Sequence, residues 1–171
     1  MSLARAGGGE RAIERVPFYL DDAVADATSS ARVLAEGHGV TIFAERFEEA
    51  RVVGDAALVR QLVVILLHNA VKFTLAGGRI QLSVGITLGR PTLVVEDTGI
   101  GIDADQLPRV FERFYRATET LARSDDPRAK TGAGAGLGLS IARWIADAHD
   151  ATIAIESKVS VGTRVTVQFP A

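Results

Sequence analysis

The chain contains no cysteine. Disulfides and thiolate metal sites are therefore excluded, and a reducing compartment is compatible with the composition. Neither sign of charge dominates, since 19 basic and 21 acidic residues leave a formal net charge of −2. An interspersed balance of that kind gives no support for binding nucleic acid or an anionic membrane surface. No uninterrupted apolar run approaches the ~18 residues that a bilayer-crossing helix needs. Met1 to Glu10 also lack the apolar centre of a signal peptide. No G-x-x-x-x-G-K-S/T segment occurs, which removes a Walker-type phosphate loop. These absences predict one soluble intracellular domain, and its 171 residues suffice to bury a core without staples.

What the chain does have is glycine, 17 residues of it, concentrated in two stretches. Val94-Val95-Glu96-Asp97-Thr98-Gly99-Ile100-Gly101-Ile102 reads as an apolar strand ending in an acid and two alternating glycines. Gly132-Ala133-Gly134-Ala135-Gly136-Leu137-Gly138-Leu139-Ser140 sets a glycine at every second position and opens a helix. Alternate glycines bare the backbone N–H groups and remove the Cβ atoms that would hold a bulky anion away. A helix starting there adds its positive dipole end, which makes the second stretch a candidate polyphosphate cradle. A buried acid beside the first could accept hydrogen bonds from a base or amide. Together they point to a nucleotide site.

The remaining elements follow from spacing. Residues 1–17 hold Gly7-Gly8-Gly9, many charges and Pro17, and read as a leader or as the tail of a preceding helix. Asp21 to Glu36 is expected as an amphipathic helix with Asp21 or Asp22 at its N-cap, ended by Gly37 and Gly39. Short strands follow at 40–43 and 51–53. Ala56 to Thr74 reads as a helix buried on nearly all sides, with Leu58, Leu62, Ile65, Asn69 and Phe73 on one stripe. A polar Asn69 on that stripe needs a partner. It either satisfies carbonyls at the helix end or serves a site. Arg79 to Glu96 alternates as a hairpin turning at Gly89-Arg90-Pro91, and Pro108 limits 103–110 to a short helix. Residues 117–131 are polar and aperiodic, as a lid would be. Leu137, Ile141, Ile145 and Ala148 predict a last amphipathic helix. Ile153 and Ile155, then Val165, Val167 and Phe169, predict two final strands joined through Gly162. The alternation suggests an antiparallel or mixed sheet with helices on one face.

Gly99-Ile100-Gly101-Ile102-Asp103-Ala104 fits G-x-G-x-x-A, but Pro108 denies it the long helix and the hairpin denies it the βαβ unit of a dinucleotide fold. Asp97-Thr98-Gly99 is the triplet of aspartic proteases, whose nearly all-β architecture conflicts with three predicted helices. A third reading accounts for the pieces together. His68-Asn69-Ala70-Val71-Lys72-Phe73 is similar to an N box, and Asp97-Thr98-Gly99-Ile100-Gly101 to a first glycine box. Phe111-Glu112-Arg113-Phe114-Tyr115-Arg116 is similar to an F box, and Gly134-Ala135-Gly136-Leu137-Gly138-Leu139 to a second glycine box. In that order they resemble the catalytic, ATP-binding domain of sensor histidine kinases. These belong to the ATPase superfamily shared with gyrase, Hsp90 and MutL, and the F box favours the kinase branch.

The resemblance implies an α/β (α+β) two-layer sandwich, the Bergerat ATP-binding fold: a mixed, mostly antiparallel sheet of about five strands with three helices on one face. It implies a catalytic domain over 18–171, with an ATP lid at about 103–135. Asp97 would accept from the adenine amino group, while Gly99, Ile100 and Gly101 turn the backbone beneath the base. Asn69 would coordinate Mg²⁺, and Lys72 would place a charge on the phosphates, which makes these two the expected catalytic residues. Phe73 would pack near the adenine, and His68 would be either a proton acceptor or polar contact of the site or, as the safer reading, its partly exposed neighbour. Gly134, Gly136, Leu137, Gly138 and Leu139 would hold the β- and γ-phosphates. Tyr115 and Arg116 complete the expected nucleotide-binding set, and Arg123, Arg128 and Lys130 are further lid cations.

The same resemblance implies an ATP- and Mg²⁺-dependent transfer of the γ-phosphate to a histidine on a dimerisation domain. Only His38, His68 and His149 exist here, none in a suitable setting, so the acceptor domain is expected elsewhere. The expected partners are that domain, in a full-length homodimer, and a response regulator, with no nucleic acid and a monomeric isolated domain. A cytoplasmic location is expected, with the parent protein anchored through segments not in this chain. The alternative is a non-catalytic ATP-binding or regulatory module. Ile65 leaves that alternative open, because it stands where kinases commonly carry Asn and hydrolytic relatives carry a Glu base.

Overall fold

The computed structural model describes residues 12–116 and 136–171. Its strands are β1 (Val16–Tyr19), β2 (Thr41–Phe47), β3 (Arg51–Gly54), β4 (Arg79–Thr87), β5 (Arg90–Asp97), β6 (Thr152–Lys158) and β7 (Gly162–Gln168). Among the described residues three helices accompany them, α1 (Leu20–His38), α2 (Ala56–Phe73) and α3 (Gly138–Ala148), with one 3₁₀ turn at Leu107–Arg109. Strands β2-β4-β5-β7-β6 form a mixed sheet in which only the β2–β4 pair is parallel. The helices cover one face, so the chain folds as the expected α/β sandwich.

The hairpin forms because Ile80, Leu82 and Val84 alternate inward against Leu93 and Val95. Its turn is Leu88-Gly89, both at positive φ (51° and 76°), whose twist matches the flanking strands. Arg90 and Pro91, expected in the turn, instead begin β5. Similarly, α1 starts at Leu20 without a side-chain cap. The Asp21 carboxylate accepts the N–H of Ala50 (3.0 Å), tying α1 to the start of β3 instead of capping the helix. Gly37 lies inside α1, and Gly39 in the left-handed region ends it.

Strand β1 spans the expected domain boundary at 17/18 and pairs antiparallel with β3 as a separate two-stranded sheet. Strands β2 and β3, adjacent in sequence, therefore lie in different sheets.

Asp55 caps α2 by accepting from the N–H groups of Ala57 and Leu58. Its core face is Val59, Leu62, Val63, Leu66, Leu67, Ala70 and Val71, packed beside Ala27, Ala31 and Val24 of α1. That face is rotated from the expected stripe: Leu58, Ile65, Asn69 and Phe73 are half-buried along its margin, and Ala57, Arg60, Gln61 and His68 are exposed. By length and mean hydropathy (1.5), α2 also passes the threshold for a bilayer-crossing helix. A mean weighs apolar residues across the polar interruptions that break a run. Here the apolarity is spent on the sandwich core.

A candidate nucleotide cavity between the helices and the sheet

The C-terminal turns of α2, the end of β5 and the start of α3 enclose one cavity of about 280 Å³. Asp97 reaches it because β5 ends there, held between Ile80 of β4 and Thr163 of β7. Its side chain is buried, and Oδ1 accepts the N–H of Gly99 at 2.8 Å. Burial pushes its pKa up to about 6, against the opposing pull of the Gly99 and Thr163 N–H groups.

The backbone after Asp97 is fastened on both sides. The Ile100 N–H donates to the carbonyl of Phe73 at the end of α2 (3.0 Å), and the Ser160 N–H donates to Ile100 (2.8 Å). The Ile102 N–H meets the Ser157 hydroxyl at 2.8 Å. Gly101 (φ 72°) must be glycine, since a Cβ there would run into the Lys158 carbonyl.

From α2, Asn69, Lys72 and Phe73 line the same cavity. Among the described residues the Asn69 amide makes no hydrogen bond. The helix-end carbonyl of Ala70 is instead served by the Thr74 hydroxyl at 2.6 Å. The capping account of Asn69 therefore fails. The Lys72 ammonium lies 5.1 Å from the Phe73 ring centroid. Its pKa is lowered, first by partial burial and then by the charge of Arg116.

At the opposite end, Gly136, Leu137, Gly138 and Leu139 bring the start of α3 to the cavity. That helix has no side-chain N-cap and no acid in its first turn, so among the described residues no side chain caps its first N–H groups, which with its dipole suit an anionic acceptor. Tyr115 and Arg116 form the adjoining wall, with the Arg109 guanidinium stacked 4.6 Å from the Tyr115 ring centroid.

Twelve of the expected site residues thus converge: Asn69, Lys72, Phe73, Asp97, Ile100, Gly101, Tyr115, Arg116, Gly136, Leu137, Gly138 and Leu139. Gly99 contributes its N–H to Asp97 without lining the cavity. His68 is exposed and does not line the cavity, although Lys72, four residues on and so on the same side of the helix, does. Gly134, Arg123, Arg128, Lys130 and the stretch 117–131 lie outside the described residues.

Besides Ala70, Ile102, Val110 and Val165, sequence reading missed Thr163, Val95, Leu66 and Ile155 of the wall. The last three look like ordinary core residues, and Thr163 acquires meaning only through its register with Asp97. Ile65 faces the start of α3, its Cγ2 lying 3.4 Å from where a Gly138 Cβ would be. His149 is ill placed for a phosphoryl acceptor, being 2% exposed with both ring nitrogens engaged.

Residues 54–171 match the family described as histidine kinase-, DNA gyrase B-, and HSP90-like ATPase. The sensor histidine kinase YkoH of Bacillus subtilis (strain 168) is 47% identical over 122 residues, covering 71% of this chain and 25% of its own length. The sensor-like histidine kinase SenX3 of Mycobacterium tuberculosis (strain H37Rv) is 31% identical over 171 residues, 100% of this chain and 40% of its own. The chain thus spans well under half the length of these relatives. Full-length ShkA, solved in complex with AMPPNP, superposes with a TM-score of 0.75 at 24% identity, covering 96% of this chain and 32% of ShkA. The chain therefore belongs to the histidine kinase-, DNA gyrase B- and HSP90-like ATPase family, as a catalytic ATP-binding domain of the sensor histidine kinase type.

Proposed function

We propose that the cavity binds ATP with its adenine against Asp97 and its phosphates at the start of α3, and that the domain passes the γ-phosphoryl group to a histidine on a separate dimerisation domain. The observation that carries this reading is the polarity of one cavity. A buried carboxylate stands at one end and uncapped helix N–H groups at the other, with apolar walls between.

The donors fit the nucleotide. A carboxylate accepts from the amino group of adenine, whereas the carbonyl of guanine would set oxygen against oxygen. Ile100, Leu66 and Val95 offer apolar surface for a purine. Lys72 and Arg116 supply positive charge, and the α3 N-terminus supplies N–H donors for phosphate oxygens.

Among the described residues no cluster of His, Asp and Glu could hold a metal by itself. Mg²⁺ would thus arrive on the phosphates and take the Asn69 amide oxygen as its protein ligand. When bound, it neutralises charge on the transferring group. The chain's own part is to position and to exclude water. Ile65 sets hydrocarbon beside the start of α3 where an acid would be needed to activate water, so ATP consumption should depend on the acceptor.

By analogy with the sensor kinases it resembles, the parent protein would act as a cytoplasm-facing homodimer, anchored in the membrane through other segments, and would pass phosphoryl groups to a response regulator.

Calorimetric titration with ADP and AMPPNP, with and without Mg²⁺, and with GTP and NAD as competitors, tests the site. Adenine-selective binding strengthened by Mg²⁺ is expected, and a folded sample that binds no adenine nucleotide refutes the reading. Adding a purified acceptor domain should then give acid-labile phosphohistidine.

A further inference from the structure

His149 stands at the end of α3 away from the cavity, and its surroundings leave it one role. Its Nε2 accepts the backbone N–H of Asp55 at 2.9 Å, and its Nδ1 lies 2.8 Å from the carbonyl oxygen of Ile145. A carbonyl only accepts, so Nδ1 carries the proton and a single tautomer satisfies both contacts. The ring meets Phe169 edge-on, with centroids 6.4 Å apart. On the β3 side there is no spare space, since a Cβ on Gly54 would fall 2.7 Å from Nε2. Arg15 closes the corner by donating to the Ala148 carbonyl (3.0 Å) and pairing with Asp150 (3.1 Å).

Asp55 is the N-cap of α2. One imidazole therefore joins the first turn of α2 to the last turn of α3. These helices run antiparallel, because Ile65, on the C-terminal half of α2, meets Gly138 at the start of α3. The other ends of the pair, carrying Asn69, Lys72 and Gly138, are facing walls of the cavity. Helices behave as stiff rods, so fixing their separation at one end constrains it at the other.

We propose that His149 is a positioning residue for the nucleotide cavity, holding α2 and α3 at the spacing in which Asn69 and Lys72 oppose the start of α3. This rests on the nucleotide reading of that cavity.

The test compares AMPPNP·Mg²⁺ affinity and thermal midpoint for the unsubstituted protein, His149→Ala, His149→Gln, Gly54→Ala and Val84→Ala. Val84 is buried in β4, outside the cavity and away from the tie, and serves as a control for general destabilisation. His149→Ala and Gly54→Ala should weaken binding by about tenfold. His149→Gln, whose amide oxygen can still receive the Asp55 N–H, should recover most of the loss. Val84→Ala should lower the midpoint without moving affinity.

Equal affinity across the His149 variants overturns the proposal, as does a parallel loss in Val84→Ala. If His149→Ala fails to fold, His149→Asn replaces it, keeping the donor to Ile145 but not the acceptor for Asp55. It should bind more weakly than His149→Gln, and equal binding overturns the tie. If the unsubstituted protein binds no adenine nucleotide, the site reading falls separately. Amide hydrogen exchange at 65–73 and 138–141 then decides, since it should speed up in His149→Ala and not in Val84→Ala. Unchanged exchange in His149→Ala refutes the proposal.

Discussion

The N–H of Phe114 donates to the carbonyl of Gly136 across 3.0 Å. This one bond joins the F box to the second glycine box and brings the two ends of the segment between them to the same wall of the cavity. It is possible because Gly136 has φ 71° and lacks a Cβ, which would fall 2.8 Å from the Tyr115 carbonyl oxygen.

Gly136→Ala should therefore act on binding more than on folding. The substitution forces apart two backbones at the cavity's rim, outside the sheet and helix core. Nucleotide affinity should fall by an order of magnitude or so, while the loss of stability stays near ~1 kcal/mol, typical of a Gly replaced at positive φ. Titration calorimetry beside urea denaturation checks it. An unfolded variant would show that the junction belongs to the core.

Asp97 should give nucleotide binding a pH dependence. Its folded pKa, raised by burial to about 6, lies above the ordinary 3.8. A raised carboxyl pKa means that the folded protein holds this proton more tightly than the unfolded chain. The group's contribution to apo stability is thus fully present below the ordinary Asp range and is lost as pH rises through about 6. Binding runs the other way, because the ionised carboxylate is the better acceptor for an amino group. Adenine affinity should fall as pH drops below about 6, and Asp97→Asn should flatten that profile. The same variant should stabilise the apo protein at pH 8 by on the order of 1–3 kcal/mol. Denaturation and binding measured from pH 5 to 8 separate the two effects.

Asn69→Ala should leave the thermal midpoint nearly unchanged, because the amide has no hydrogen-bond partner among the described residues to lose. Its effect should appear in Mg²⁺ dependence: affinity for AMPPNP without the metal persists, and the gain on adding Mg²⁺ shrinks. A large drop in midpoint would instead reveal a structural role.

The four motifs were legible because each is a local arrangement. An acid closes a strand, glycines open a helix, and Asn69 and Lys72 sit three apart on one helix and so share a face. The sheet's order was less legible. Strand β2 pairs in parallel with β4, and β3 leaves the main sheet for β1, long-range pairings that the strands' own alternation does not declare. Thr163 shows the same limit inside the site, since nothing around it announces that it sits opposite Asp97. His68 shows the converse: it belongs to a motif by sequence, but it is exposed and does not line the cavity.

The rotation of α2 can itself be tested. The expected stripe gave Leu58 and Leu62 equal standing, whereas Leu62 is fully buried among Val59, Val63 and Leu66 and Leu58 is half-buried at the margin. Truncating a leucine in a closed core removes transfer free energy and leaves a cavity that the neighbours fill only partly. At the margin, water or a shifted side chain takes up the space. Leu62→Ala should therefore cost about 2–5 kcal/mol and Leu58→Ala roughly half of that or less, both read from urea midpoints at an unchanged m-value. Equal costs would mean that α2 sits about a quarter-turn from this orientation. Asn69 would then point into the core, and the account of it as a cavity residue would fall with the packing.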